Sequence, residues 1–251
     1  MRQKMGDRMN VKYLLILLAW TLSACGGGGD SGSTTPPPAP VADPNLTVPF
    51  QTAIANLVNN GINKTFTLTG YVDNSTGNNP VPRTPITGSG TLTIGTPTAA
   101  IFNGLSVLKT TQVVTGSAVA NGQTITVAGS ETVFYNTGNY TIAGSGTGSS
   151  PMRYAPYTNP STVKAGSTGT LGSGSTGGIF ANTISSVYTV SGDSVSSLLV
   201  TVIDTLRESS GGKITSQSVY RVTTSGGVTL VSIDVVKNFL ANDYQRLTYT
   251  F

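Results

Sequence analysis

From residue 63 onward, apolar and polar positions alternate with a period of two. Phe66 and Leu68 alternate with threonines, as do Leu92 and Ile94, Ile125 and Val127, and Leu247, Tyr249 and Phe251. Successive side chains of a strand point to opposite faces, so this pattern buries one face and wets the other. Further strand-like runs cover 105–115, 131–136, 139–144, 184–191, 195–206, 214–223 and 228–237. Tight-turn signals separate many of them: Asn121-Gly122, Thr137-Gly138-Asn139, Ser191-Gly192-Asp193, Ser210-Gly211-Gly212 and Ser225-Gly226-Gly227. The expected fold is mainly β, an antiparallel meander forming a curved sheet, half-barrel or sandwich.

One segment breaks the pattern. Phe50, Ala53, Ile54, Leu57 and Val58 recur at helical spacing, with Pro49 suited to a first turn and Gly61 to a cap. This predicts one short N-terminal helix over about 48–60. Its polar face lacks Lys and Arg, so it is expected to pack on the sheet rather than lie on a membrane. Residues 105–144 and 198–234 both read as strand, turn, strand, turn, strand, a weak internal repeat. Between them, 145–183 is poor in pattern and rich in Gly, Ser and Pro.

Charged residues are only 10% of the 251, so Thr and Ser must supply most of the wet face. The net charge of +4 suggests nucleic acid until its distribution is read. Arg2, Lys4, Arg8 and Lys12 lie at the N-terminus, and the remaining ten Lys and Arg are scattered singly against nine Asp and Glu. No run neutralises successive phosphates, so no nucleic-acid partner is expected.

The basic N-terminus leads into Tyr13-Leu14-Leu15-Ile16-Leu17-Leu18-Ala19-Trp20 and then Leu22-Ser23-Ala24-Cys25. About ten apolar residues are too few for an anchor helix across roughly 30 Å but suit a signal-peptide core. The ending resembles the lipobox of bacterial lipoproteins. The resemblance implies a signal peptide over 1–24, a diacylglycerol on the Cys25 thiol, cleavage before it, and acylation (commonly palmitate) of the new amine. Gly26 stands where an Asp commonly signals inner-membrane retention, so the resemblance implies the outer membrane, facing either side. Residues 25–46 then read as a Gly- and Pro-rich tether, a spacer lifting a β domain over 47–251 off the membrane surface. The body resembles, loosely, uncharacterised Thr- and Gly-rich β lipoproteins with the same layout.

Candidate chemistry is sparse. One Cys and no His exclude an intrachain disulfide, a His-based triad and a His-ligated metal site. Ser106-Val107-Leu108-Lys109 and Ser161-Thr162-Val163-Lys164 match Ser-x-x-Lys, but one falls in a strand pattern and the other in a loop, not on the helix that motif requires. Gly172 to Gly177 matches a dinucleotide fingerprint but lacks a following helix. Asp204, Glu208 and Asp234, with Glu131 and Asp193 as outliers, are the carboxylates to weigh. Asp204, embedded in an apolar run, is expected as an edge charge or a partner for Arg207 or Arg221, with burial as the alternative. No catalytic residue, metal or cofactor is expected. The sharpest binding candidate is the aromatic loop carrying Met152, Arg153, Tyr154 and Tyr157, since Tyr and Arg are enriched at interface hot spots; the competing reading folds these rings back to cap the sheet. Two functions follow as expectations. One is a lipid-anchored outer-membrane lipoprotein with a non-enzymatic β domain for structural or interaction roles. The other is a carrier holding a lipid or other hydrophobic ligand inside a curved sheet or half-barrel.

Overall fold

In the computed structural model, which describes residues 43–73, 82–146, 150–178, 181–239 and 243–251, the alternating runs close on themselves. Residues 1–42, which hold the expected signal peptide, Cys25 and most of the expected tether, lie outside the described residues. A short strand β1 (Thr47–Val48) precedes the helix α1 (Phe50–Asn60). The wall then runs β2 (Ile62–Asp73), β3 (Thr84–Ile94), β4 (Thr98–Phe102), β5 (Leu105–Ala120), β6 (Gln123–Asn136), β7 (Ile142–Ser145) and β8 (Met152–Tyr154). After β9 (Val163–Lys164) it continues through β10 (Thr168–Ser175), β11 (Thr183–Gly192), β12 (Ser197–Arg207), β13 (Lys213–Thr223), β14 (Val228–Phe239) and β15 (Asp243–Thr250).

Each wall strand pairs antiparallel with its neighbours, and two further pairings remove the edges. Strand β15 pairs with β2, Tyr249 opposite Leu68, and β3 pairs with β5, Leu92 opposite Val114. Because β4 continues the course of β3 along the same edge of β5, the result is a closed barrel of twelve strands. The expected curved sheet is therefore a full barrel. Closure satisfies the backbone groups an open sheet would leave bare.

The inside of the wall is apolar. Leu198, Val200, Val202 and Leu206 of β12 face inward, as do Phe66 and Leu68 of β2 and Ile86 and Leu92 of β3. Outside lie Thr65, Thr67 and Thr69, opposite Thr91, Ser89 and Thr87 of β3. An eight-stranded barrel is just filled by its own side chains, so twelve strands need extra filling. The amphipathic stripe of α1 supplies part of it, with Phe50, Ala53, Ile54, Leu57 and Val58 all buried. Each contributes roughly 1.5–3 kcal/mol if fully transferred from water, less for Ala53. The Phe50 ring stacks on Tyr188 at 5.6 Å, and Asn56 Nδ2 donates to the Gly226 carbonyl. The helix ends at Gly61, whose φ of +68° and N–H donation to the Leu57 carbonyl close it. Helix α1 thus plugs one end of the barrel, where the β13–β14 turn and the end of β3 meet it. Strand β1 pairs with β9 beside it, Val48 opposite Val163.

The pattern-poor stretch after β7 contributes real strands. Glycines there carry aromatic rings: a Cβ on Gly169 would sit 2.7 Å from the Tyr188 ring, and one on Gly172 would sit 2.7 Å from Tyr157. On the outer face Gly144 receives Phe102, which also stacks on Phe134 at 4.4 Å, while inside the barrel Gly90 receives Phe66 in the same way as Gly169 and Gly172 receive their rings. A ring laid over a glycine fills the interior where the strand itself cannot. Gly172 also has a φ of +104°, while Gly177, at +75°, has open space around its missing side chain. Gly172→Ala is therefore expected to destabilise the protein by about 2–4 kcal/mol through strain and overpacking, and Gly177→Ala by about 1 kcal/mol. Urea denaturation of both variants checks this; equal losses contradict the ring-on-glycine account.

Candidate functional site

Two carboxyls lie inside the wall. Asp204 has the parity of Leu206 on β12 and so points inward, only 1% exposed. Strand register sets Ser186 of β11 on one side of it and Ser216 of β13 on the other. The Ser186 hydroxyl donates to Asp204 Oδ1, while Oδ2 has no protein partner. Burial pushes the Asp204 carboxyl up to about 7, and the Ser186 hydrogen bond offsets only part of that rise. The expectation of an edge charge paired with Arg207 or Arg221 is overturned. Arg221 pairs instead with Asp193 at 2.7 Å, and Arg207, three residues from Asp204 along the strand, faces the opposite side.

Glu131 of β6 also faces inward, opposite the fully buried Gln112 of β5. Burial lifts its carboxyl to about 7, and the neighbouring Ser145 hydroxyl partly counters this without good hydrogen-bond geometry to Oε1. Tyrosines gather around both acids. Tyr154 feels the charges of Asp204 and Glu131 and neighbours Tyr135 and Tyr157, while Tyr220 feels Asp204 and Tyr135. Burial holds Tyr135, Tyr154, Tyr157 and Tyr220 well above the ordinary phenol range, so they stay protonated. The Tyr157 hydroxyl accepts a hydrogen bond from the Ile142 amide at 2.9 Å. The interior thus holds proton-bearing acids and phenols behind a closed wall, where they shape stability.

The binding candidate divides between the two sides of the wall. Met152 is buried and Arg153 exposed on β8, and Tyr154 ends that strand with its ring against Gly174. Tyr157 follows with its ring against Gly172. Arg153 alone of the four stands free on the outer face, at the rim of a groove of about 440 Å³. The remaining carboxylates are external: Asp193 with Arg221 and Ser197, Asp234 with Arg246 and Thr248, and Glu208 in the β12–β13 turn. Neither Ser-x-x-Lys match lies on a helix; Ser106 and Lys109 are on β5, and Ser161 and Lys164 flank the start of β9. The Gly-x-Gly-x-x-Gly glycines serve ring packing and chain reversal, with no helix after them.

The groove was not legible from motifs, because its residues come from four strands and meet only through register. The groove is lined by Arg153 and Arg207 with outward Ser and Thr side chains of β10, β11 and β12 between them.

The interior acids give a pH signature. A carboxyl whose folded value exceeds its unfolded one favours the folded state while protonated, so this contribution is full below about pH 4 and is lost as pH rises through about 7. No His titrates in this window. The melting temperature is expected to be higher at pH 5 than at pH 8, with Asp204→Asn removing much of the difference, a few kcal/mol at most. Calorimetry across that range decides it; a rise from pH 5 to pH 8, or an unchanged slope in the variant, contradicts the buried-acid reading. Comparison with family models, curated proteins and solved structures finds no match for this chain.

Proposed function

We propose that this chain is a lipid-anchored lipoprotein of the outer membrane, whose barrel is a non-enzymatic domain with a structural or interaction role. The observation that carries the reading is the polarity of the wall. Its outer face is dominated by Thr and Ser and its inner face by aliphatic and aromatic side chains. A barrel that spans a membrane carries the opposite arrangement, with an apolar belt outside. This barrel is built to stand in water, so a membrane location needs a separate attachment, and Leu22-Ser23-Ala24-Cys25 is the segment suited to provide one. Two or three acyl chains, at about 0.8 kcal/mol per buried CH₂, hold such a domain at a surface permanently. The tether would join the barrel at its plugged end, where β1 and α1 enter.

The carrier alternative meets an obstacle at that same end. The apolar space between α1 and Val202, Tyr220 and Val222 has a volume of about 10 Å³, enough for one water and too small for an acyl chain. Carriage of a hydrophobe there would require α1 to leave.

Cys25→Ser tests the anchor. The wild-type chain is expected to incorporate labelled palmitate and to remain with membranes through an alkaline wash, and the variant to appear unlabelled in the soluble fraction. A variant that stays with washed membranes, or a wild-type chain without label, contradicts the reading.

A further inference from the structure

Five arginines lie among the described residues. Three have carboxylate partners on the outer face: Arg83 with Asp73, Arg221 with Asp193, and Arg246 with Asp234. The two without an ion pair, Arg153 and Arg207, line the same groove. Their placement follows from register. Arg153 of β8 stands opposite Ser175 of β10, Ser175 opposite Thr183 of β11, and Thr183 opposite Arg207 of β12. The row continues to Lys213 of β13, directly opposite Arg207 and exposed. Like charges facing each other across a strand pair are unfavourable, and no carboxylate in this row relieves them.

The next row toward the plugged end is Ser173, Ser185 and Thr205. Small outward hydroxyls therefore form the bed of the groove, between a guanidinium at each side. Neighbouring strands are about 4.8 Å apart, so the two arginine backbones stand roughly 14 Å apart across three intervals. The groove contains no aromatic ring, which disfavours a base-stacked nucleic acid. Its chemistry suits an extended ligand with hydroxyls along its length and negative charge at intervals.

We propose that this groove binds an acidic oligosaccharide, its carboxylate or phosphate groups engaging Arg153 and Arg207 and its hydroxyls meeting Ser173, Ser175, Thr183, Ser185 and Thr205. Guanidinium groups hold such anions with paired N–H donors, a geometry that Lys cannot reproduce. A volume of about 440 Å³ lies within the range of small-ligand sites. The groove opens at the barrel end opposite α1, at the end of β12 and the starts of β11 and β13. A chain moored through its N-terminus would display this site away from the mooring. The inference deepens the interaction role proposed above, and its test is independent of the anchor.

The full-length protein in mild detergent is titrated by calorimetry with tetragalacturonate, with its methyl ester as the neutral counterpart, with a phosphorylated oligosaccharide, and with inorganic phosphate. The acidic oligosaccharides are expected to bind, the ester to bind at least tenfold more weakly, and 0.5 M salt to weaken the acidic ones. Arg153→Gln and Arg207→Gln are each expected to reduce affinity about tenfold or more. Both arginines are exposed, so melting temperatures within a degree or two of wild type confirm that the variants fold. Carboxylate binding without phosphate binding, or the reverse, supports the site and identifies its charge group. Equal binding of ester and acid, binding of inorganic phosphate alone, unaltered affinity in both variants, or no binding of any oligosaccharide overturns the proposal. None of these outcomes depends on acylation, so failure here is separable from failure of the Cys25→Ser experiment.

Discussion

A twelve-stranded barrel encloses more space than its inward side chains readily fill, and that constraint governs the rest of the molecule. Empty apolar volume forfeits dispersion contacts on every lining atom. The chain answers with three kinds of filling. Helix α1 lays five apolar residues into one end. Rings from Phe66, Tyr157 and Tyr188 lie over glycines of other strands. Polar groups occupy part of what remains, Asp204 with Ser186 and Ser216 on one side and Glu131 with Gln112 on the other. The glycines are thus half of a packing arrangement whose other half is aromatic, and composition alone does not show that relation.

Filling the interior moves the available chemistry outward. Asp204 and Glu131 have strongly perturbed acidities, a common sign of a functional centre, but here desolvation is the first cause of each shift and a closed wall surrounds them. Their protonated forms suit a dry interior. On the outer face, arginines near a carboxylate are neutralised in pairs, as Asp193 shows: Arg221 and Ser197 hold its carboxyl below the usual range despite partial burial. The two arginines left unpaired then mark the face with an unmet need for negative charge.

Much of the wall could be read from alternation and turn chemistry. The helical stripe from Phe50 to Val58 lies where its spacing placed it, and Asn121-Gly122 turns a hairpin with φ of 50° and 69°. Asn103-Gly104 does the same at 51° and 77°; it carried an equal signal and was missed because the run before it, Thr98–Phe102, is short. Closure had no local signal, since β2 and β15 lie at opposite ends of the domain and their pairing rests on matching register. Strand β10 was illegible for a physical reason: its glycines support rings from elsewhere, which erases the alternation that marks a strand, and β8, Met152–Tyr154, is too short to show any alternation. The inward direction of Asp204 was legible, because it shares the parity of Val200, Val202 and Leu206. The pairing of Arg153 with Arg207 across one groove was not, because it needs four strands in register.

The claim beneath all of this is that the wall is closed and its interior filled, and native-state hydrogen exchange tests it most directly. The account predicts that amides along β2, β15 and the β3–β5 pair exchange as slowly as those in β12 and β13, with α1 protected beside them. Rapid exchange at alternate residues of β2 and β15, the signature of two free edges, would show an open sheet and contradict it.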